Sequence, residues 1–278
     1  MQRAVTADLD LDIESAADLI LQIGVAQGAT LANEQLTLRQ GERVYTPTEI
    51  VDQSGSRLHR VTCEAGLLEV RYEATVDGKA SAGHTSDLEA ITYLRPSRYC
   101  QSDEVFSQAR RQFRGLGGHG LLAAVTDFVS SSVTYTPGLS LGTDSAVTTL
   151  MTGQGVCRDY AHVVIALLRA MDMPARYVSC YAPGLDPMDF HAVAEAYLDG
   201  TWYVVDATRL ADRRSLVRIA TGRDAADCAF LSYHGGQVGL AGMHVDAWAV
   251  AAPDDAPAAL LDPGAADLDD FTSLVQLG

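Results

Sequence analysis

Hydrophobic and polar residues alternate near the start of the chain. Leu9, Leu11 and Ile13 interleave with Asp8, Asp10 and Asp12, and Leu19, Leu21 and Ile23 repeat the pattern less cleanly. A period of two marks a strand with one buried face. Val61, Thr62 and Cys63, then Leu68 to Tyr72, continue it, with turn signals at Gly41, 52–56, Gly66 and Asp77-Gly78. Residues 8–77 therefore predict an all-β, sandwich-like or meander region. Residues 81–102 show no period and read as a connecting segment. From 103 the pattern turns helical, over 104–113, 119–131 and 145–151. The strongest helix spans 156–171, whose run Val163-Val164-Ile165-Ala166-Leu167-Leu168 is apolar all round, as in a buried helix. Strands follow over 175–181, 191–198, 201–207, 216–219 and 238–250. One buried helix followed by antiparallel strands predicts an α+β fold. The expected division is a β-rich region with its connection (1–102), a core (103–252) and a flexible Pro/Ala/Asp-rich tail (253–278).

Composition narrows the function. The formal net charge is −16, with 36 acidic against 20 basic residues, of which Lys79 is the single lysine. That balance argues against nucleic acid and anionic lipid as partners. No apolar run approaches the roughly 20 residues that span a bilayer, and the first ten residues hold no apolar signal core. Five cysteines at 63, 100, 157, 180 and 228, without a CxxC, fit neither a disulfide framework nor a structural zinc site. The expectation is a cytoplasmic protein with reduced thiols, no cofactor and no metal.

The chemistry concentrates in two stretches. In Gly153-Gln154-Gly155-Val156-Cys157, a thiol opens the buried helix. Unpaired backbone N–H groups and the positive end of the dipole stabilise thiolate there, and the same N–H groups suit an oxyanion. In the second stretch, His191 to Leu198 and Thr201 to Ala207 flank Asp199-Gly200, the strongest short signal for a two-residue hairpin. Counting outward from the turn pairs Leu198 with Thr201, Glu195 with Val204 and Val193 with Asp206. His191 and Asp206 then share a face as diagonal neighbours, about 7–8 Å apart at the backbone. A one-residue slip sends Asp206 to the other face. The pattern nominates Cys157 as nucleophile, His191 as base and then acid, and Asp206 as the group that orients the imidazole. Taken singly, each has an ordinary structural explanation; the shared face and the helix-opening cysteine favour the joint assignment.

GVCRDYAH followed by HAVAEAYLDGTWYVVDATR resembles the bacterial transglutaminase-like proteins, relatives of papain-fold cysteine proteases. The resemblance is strongest over about 120–210 and extends to Tyr93–Tyr99 and Gly222-Arg223-Asp224. It implies a papain/transglutaminase-like core behind a β domain, and matches Cys157, His191 and Asp206 to the family's catalytic cysteine, histidine and aspartate. It also implies thiol-based acyl transfer on a peptide or protein amide. Hydrolysis leads over transamidation because water is always available as acceptor and no residue marks an amine site. Two positions depart from the family's usual pattern: Val193 stands where tryptophan is common, and Ala207-Thr208-Arg209 follows the aspartate. Both bear on substrate preference.

Several further residues have plainer roles open to them. Tyr135 and Tyr160 are cleft candidates and Gln154 is an oxyanion candidate, although aromatic turn residues usually pack and loop glutamines are usually solvated. His162 points away from the thiol by helical geometry and is a structural hydrogen-bonder. Asp224 with Asp227 resembles a capping box. Gly115 to Gly120 fits GxGxxG but follows no strand, so dinucleotide binding is not expected. Ser140 lies in a GxSxG match, with Asp206 and His234 in suitable chain order, and keeps a serine hydrolase open as an alternative. A non-catalytic scaffold is the other alternative. No calcium-loop pattern is present.

Overall fold

A computed structural model describes residues 1–80, 85–250 and 274–277. The chain begins with seven strands, β1 (Gln2–Ile13), β2 (Ala17–Leu21), β3 (Thr30–Gln40), β4 (Arg43–Tyr45), β5 (Thr48–Val51), β6 (Arg57–Cys63) and β7 (Gly66–Asp77). In β1 the alternation is realised residue by residue: Leu9, Leu11 and Ile13 are buried while Asp8, Asp10 and Asp12 face outward. Helices α1 (Asp87–Thr92), α2 (Phe106–Gln112) and α3 (Gly118–Ser132) follow. Then come β8 (Thr134–Tyr135), α4 (Ala146–Thr152), β9 (Gln154–Gly155) and α5 (Cys157–Ala170). The last strands are β10 (Ala175–Tyr181), β11 (His191–Leu198), β12 (Thr201–Val205), β13 (Val217–Gly222), β14 (Leu231–His234) and β15 (Val238–Val250).

Two antiparallel sheets, β15-β1-β7-β3-β4 and β14-β2-β6-β5, form the β-rich region. Their inward residues, among them Leu9, Leu68, Leu19 and Val61, belong to one buried cluster. Residues 231–250, read from sequence as part of 103–252, pair instead with the first strands. β15 runs antiparallel to β1 from Gln2 opposite Val250 to Ile13 opposite Val238, and β14 lies against β2. Strand pairing between the chain's two ends leaves no local trace in the sequence.

The core is the sheet β12-β11-β10-β13 with α5 against it. Ala192, Ala194 and Ala196 of β11 share a buried cluster with Val163, Val164 and Leu167 of α5. Small residues on this strand face let the helix approach closely. The intervening Val193 joins a second cluster with Val178, Val204 and Leu216. Glu195, also buried, accepts hydrogen bonds from Arg176 at 2.7 Å and from Arg218 at 2.7 and 3.0 Å. Burial opposes its ionisation, but the two guanidinium groups prevail and bring its pKa down to about 2. Arg169, buried near the C-terminus of α5, donates to the carbonyls of Ala175, Arg95 and Arg223 and to Ser97. That one guanidinium gathers the two flanking segments that carried the outer part of the family resemblance.

The β-rich region abuts the core. The Tyr181 hydroxyl donates to the Ile23 carbonyl at 2.8 Å, and the Tyr72 and Tyr181 rings stack 6.4 Å apart. Of the tail expected to be flexible, 253–273 and 278 lie outside the described residues. Residues 274–277 are docked, contrary to that expectation: Val204 N–H donates to the Val275 carbonyl at 2.8 Å, and Val275 and Leu277 are buried. The open edge of β12 offers both the backbone donor and the apolar ground that hold them.

Candidate active site

Cys157 is delivered by a short, tightly specified sequence. Gly153 ends α4 in the left-handed region (φ 67°), a conformation that glycine adopts without steric penalty. Gln154 and Gly155 then pair in parallel with Thr134 and Tyr135. This places Tyr135 opposite Gly155, two residues before the start of α5. Asp159 reaches back to accept from Val156 N–H at 2.8 Å, satisfying a donor ahead of the first turn. A Cβ on Gly155 would stand 2.6 Å from the Asp159 Cβ. The Gly155→Ala variant is therefore expected to lose about 1–3 kcal/mol of stability, measured as a lowered denaturant midpoint with the slope unchanged.

His191 opens β11 and is buried, with Cys180 opposite it in β10. The hairpin register matches the count from Asp199-Gly200: Leu198 faces Thr201, Tyr197 faces Trp202 and Glu195 faces Val204. Asp199 and Gly200 have φ of 49° and 84°, both in the left-handed half as a type I′ turn requires. The ladder ends at Ala194 opposite Val205. Beyond it Asp206 leaves the strand and turns its Oδ2 to His191 Nε2, 2.9 Å away. Its Oδ1 accepts from the backbone N–H and the hydroxyl of Thr208, at 2.9 and 2.6 Å. The sequence pattern gives Thr208 no such role in advance. Its signal is the Asp-x-Thr spacing, which suits a carboxylate that bonds two residues onward.

With Nε2 committed to Asp206, Nδ1 is the nitrogen left for the thiol. It is buried and makes no other hydrogen bond among the described residues. Burial disfavours the imidazolium. The Asp206 carboxylate and the Cys157 sulfur outweigh that effect and raise the His191 pKa. Asp206 shifts the opposite way: burial opposes ionisation, but His191 and Thr208 together lower its pKa. Cys157 itself is half-buried, with Sγ 3.9 Å from the Phe190 carbonyl. The structure thus brings Cys157, His191 and Asp206 together.

The secondary candidates separate. The half-buried Tyr135 lies against Cys157, and its pKa is raised by burial and then by the neighbouring Cys157 sulfur. Tyr160 does not line the cleft. Its buried hydroxyl donates to the Val133 carbonyl, and its ring lies 6.1 Å from that of Tyr135, bracing it from behind. Gln154 is exposed and makes no side-chain hydrogen bond to Cys157, His191 or Asp206 among the described residues. His162 is structural: its Nε2 accepts from Ala225 N–H at 3.2 Å, its ring stacks on Tyr99, and burial lowers its pKa to about 3. Asp224 accepts from Tyr99 and Ala226 N–H, a structural role, but in a turn and not in the capping box of a helix that the sequence suggested. The serine-hydrolase alternative fails on geometry. Ser140 Oγ accepts from Arg158 at 2.5 Å, Asp206 is engaged by His191 and Thr208, and His234 sits in β14 opposite Asp18. Among the described residues, no group of three His, Cys, Asp or Glu is arranged to hold a metal. No described helix is long and apolar enough to cross a membrane.

Comparison with known proteins bears on the same residues. The model of the transglutaminase-like superfamily matches 120–207, a span that contains Cys157, His191 and Asp206. A crystal structure from Cytophaga hutchinsonii, described as a "Putative Cysteine Protease", is 34% identical to this chain. The match covers 89% of this chain and 90% of that one, with a TM-score of 0.80. The chain belongs to the transglutaminase-like superfamily. This transglutaminase-like chain is also 29% identical over 145 residues to the uncharacterized protein ML0607 of Mycobacterium leprae (strain TN). That match takes in 49% of this chain and 52%, about half, of the relative. A looser likeness, at 18% identity and a TM-score of 0.41, is to the periplasmic domain of TgpA from Pseudomonas aeruginosa, covering 71% of this chain and 91% of that one.

Proposed function

We propose that this transglutaminase-like chain is a thiol enzyme that cleaves an amide through a Cys157–His191–Asp206 triad and a thioester intermediate. One observation carries the reading: a buried imidazole, held at Nε2 by a carboxylate, has its other nitrogen left for a thiol at the start of a helix. In the proposed reaction Cys157 gives its proton to His191 Nδ1 before substrate binds, forming a thiolate–imidazolium pair, and the thiolate attacks the substrate carbonyl carbon. The oxyanion develops beside the Cys157 N–H at the start of α5 and the Tyr135 hydroxyl. His191 then gives its proton to the leaving nitrogen as the C–N bond breaks, and the acyl group remains on sulfur. Water, deprotonated by His191, attacks the thioester, and the thiol is restored as the acid departs. Asp206 keeps the imidazole in the productive tautomer and stabilises its charged form.

A peptide or protein amide as substrate is supported by the described character of the Cytophaga hutchinsonii relative. Hydrolysis is preferred over transamidation because it needs no second organic substrate. A cytoplasmic setting is supported by five cysteines that are all free. The test is direct acylation. The protein is mixed with p-nitrophenyl acetate, quenched in acid, and mapped by peptide mass. One acetyl group on the Cys157 peptide, discharged by hydroxylamine, is the expected result. A folded protein that never acylates at Cys157 would instead be a binding protein that retains the fold.

A further inference from the structure

The segment that delivers His191 also carries a carboxylate for which the proposed chemistry has no use. Phe190 turns its ring inward, 5.6 Å from Tyr181 and 5.4 Å from Phe230, while its carbonyl faces the Cys157 sulfur. Asp189, the residue before it, is exposed. Its Oδ1 is fixed by the Phe190 N–H at 2.7 Å. Its charge acts on both Tyr135 and His191, the two side chains that flank the thiol.

Other carboxylates around the site have their charge answered. Asp159 has Arg158, Asp206 has His191, and Glu195 has Arg176 and Arg218. Asp189 is in no ion pair among the described residues. Partial burial nevertheless raises its pKa, against the opposing pull of the Phe190 N–H and His191. An exposed carboxylate beside the thiol and without a counter-charge is open to a cation brought against it.

We infer that Asp189 is a specificity-determining residue that receives a cationic group, an ammonium or guanidinium, carried by the acyl donor close to the amide that Cys157 attacks. The substrate class is then lysine- or arginine-containing peptide amides. This rests on Cys157 being the nucleophile. The site reads the cation at its rim, and Asp189 itself neither gives nor takes a proton in the proposed reaction.

The experiment compares wild type, Asp189→Asn and Asp189→Lys in their rates of modification at Cys157. The reagents are cationic, neutral and anionic methanethiosulfonates of similar size, with the site of modification mapped by peptide mass. An exposed charge pair is worth at most about a few-fold in each rate. The cation-to-anion ratio is expected to fall about ten-fold in Asp189→Asn, fall further in Asp189→Lys, and contract in high salt. The neutral reagent should hold its rate to within about two-fold. A ratio unchanged in both variants overturns the inference. So does an equal slowing of all three reagents in Asp189→Asn, which would make Asp189 a tuner of His191 instead of a reader of substrate. Wild-type Cys157 inert to every reagent is a different failure, that of the nucleophile itself, and it removes both readings. Peptide amides scanned with lysine, norleucine and glutamate beside the scissile bond complete the test. Lysine should lead in wild type and lose its lead in Asp189→Asn; no lysine preference at any position overturns the substrate class.

Discussion

Replacing Cys157 with alanine is expected to lower kcat/KM for amide cleavage by about 10⁴-fold or more while leaving the protein folded. The change removes one sulfur from a half-buried position 3.9 Å from the Phe190 carbonyl and beside Tyr135 and His191. Little packing is lost, so the thermal midpoint should stay close to that of wild type. The same thiol should stand apart in chemical labelling. Burial pushes the Cys63 thiol up to about 11 and the Cys100 thiol up to about 12, and raises Cys180 and Cys228 well above the ordinary thiol value. Those four are fully enclosed as well as protonated at neutral pH. Sub-stoichiometric iodoacetamide at pH 7 should therefore modify the Cys157 peptide ahead of the others, and activity should fall in proportion to that single modification. Full activity in Cys157→Ala, or labelling spread evenly over five cysteines, would remove the nucleophile assignment.

Sequence was most informative where a local rule leaves few options. Asp199-Gly200 allows one tight turn, and that turn fixes the register back to Ala194 and Val205. The apolar circumference of α5 can only be a buried helix. Contacts that depend on distant chain segments were illegible. β3 shows no clean alternation, because the register shifts between Leu31 and Asn33, Glu34 falls in phase with Leu36 and Leu38, and most of its side chains meet solvent. β15 gives no sign that it belongs beside β1. Tyr160 illustrates a subtler limit. Three residues after Cys157, it shares the thiol's helical face by spacing alone, yet Val133 at the end of α3 draws its hydroxyl inward. The approach of Asp206 to His191 was anticipated as a diagonal pair on a continuing ladder. It arises instead because the ladder stops and Thr208 turns the carboxylate back.

The second large effect concerns that carboxylate. Asp206→Ala strands a fully buried imidazole without its partner, and removing one member of a buried pair typically costs about 3–5 kcal/mol. Activity should fall about 10³- to 10⁴-fold as the imidazole loses its fixed orientation and the stabilisation of its charged form. The more revealing variant is Asp206→Asn, which keeps the shape and removes the charge. In wild type the folded-state pKa of His191 is raised from 6.5 to about 10. The stability this contributes is complete below pH 6.5 and is lost as the pH climbs toward 10. The Asp206 pKa is lowered from 3.8, so its contribution is present above that value and is lost as the pH falls below it. In Asp206→Asn the pull of the carboxylate is gone, and burial, which disfavours the charged ring, is opposed by the Cys157 sulfur alone. The stability gap between wild type and Asp206→Asn should therefore be widest near pH 5–6 and narrow steadily toward pH 10, as read from denaturant midpoints across that range. A gap that stays constant with pH would mean the two side chains share a neutral hydrogen bond. The thiol would then face an uncharged base, and the imidazolium needed to protonate the leaving nitrogen would form only in the course of the reaction.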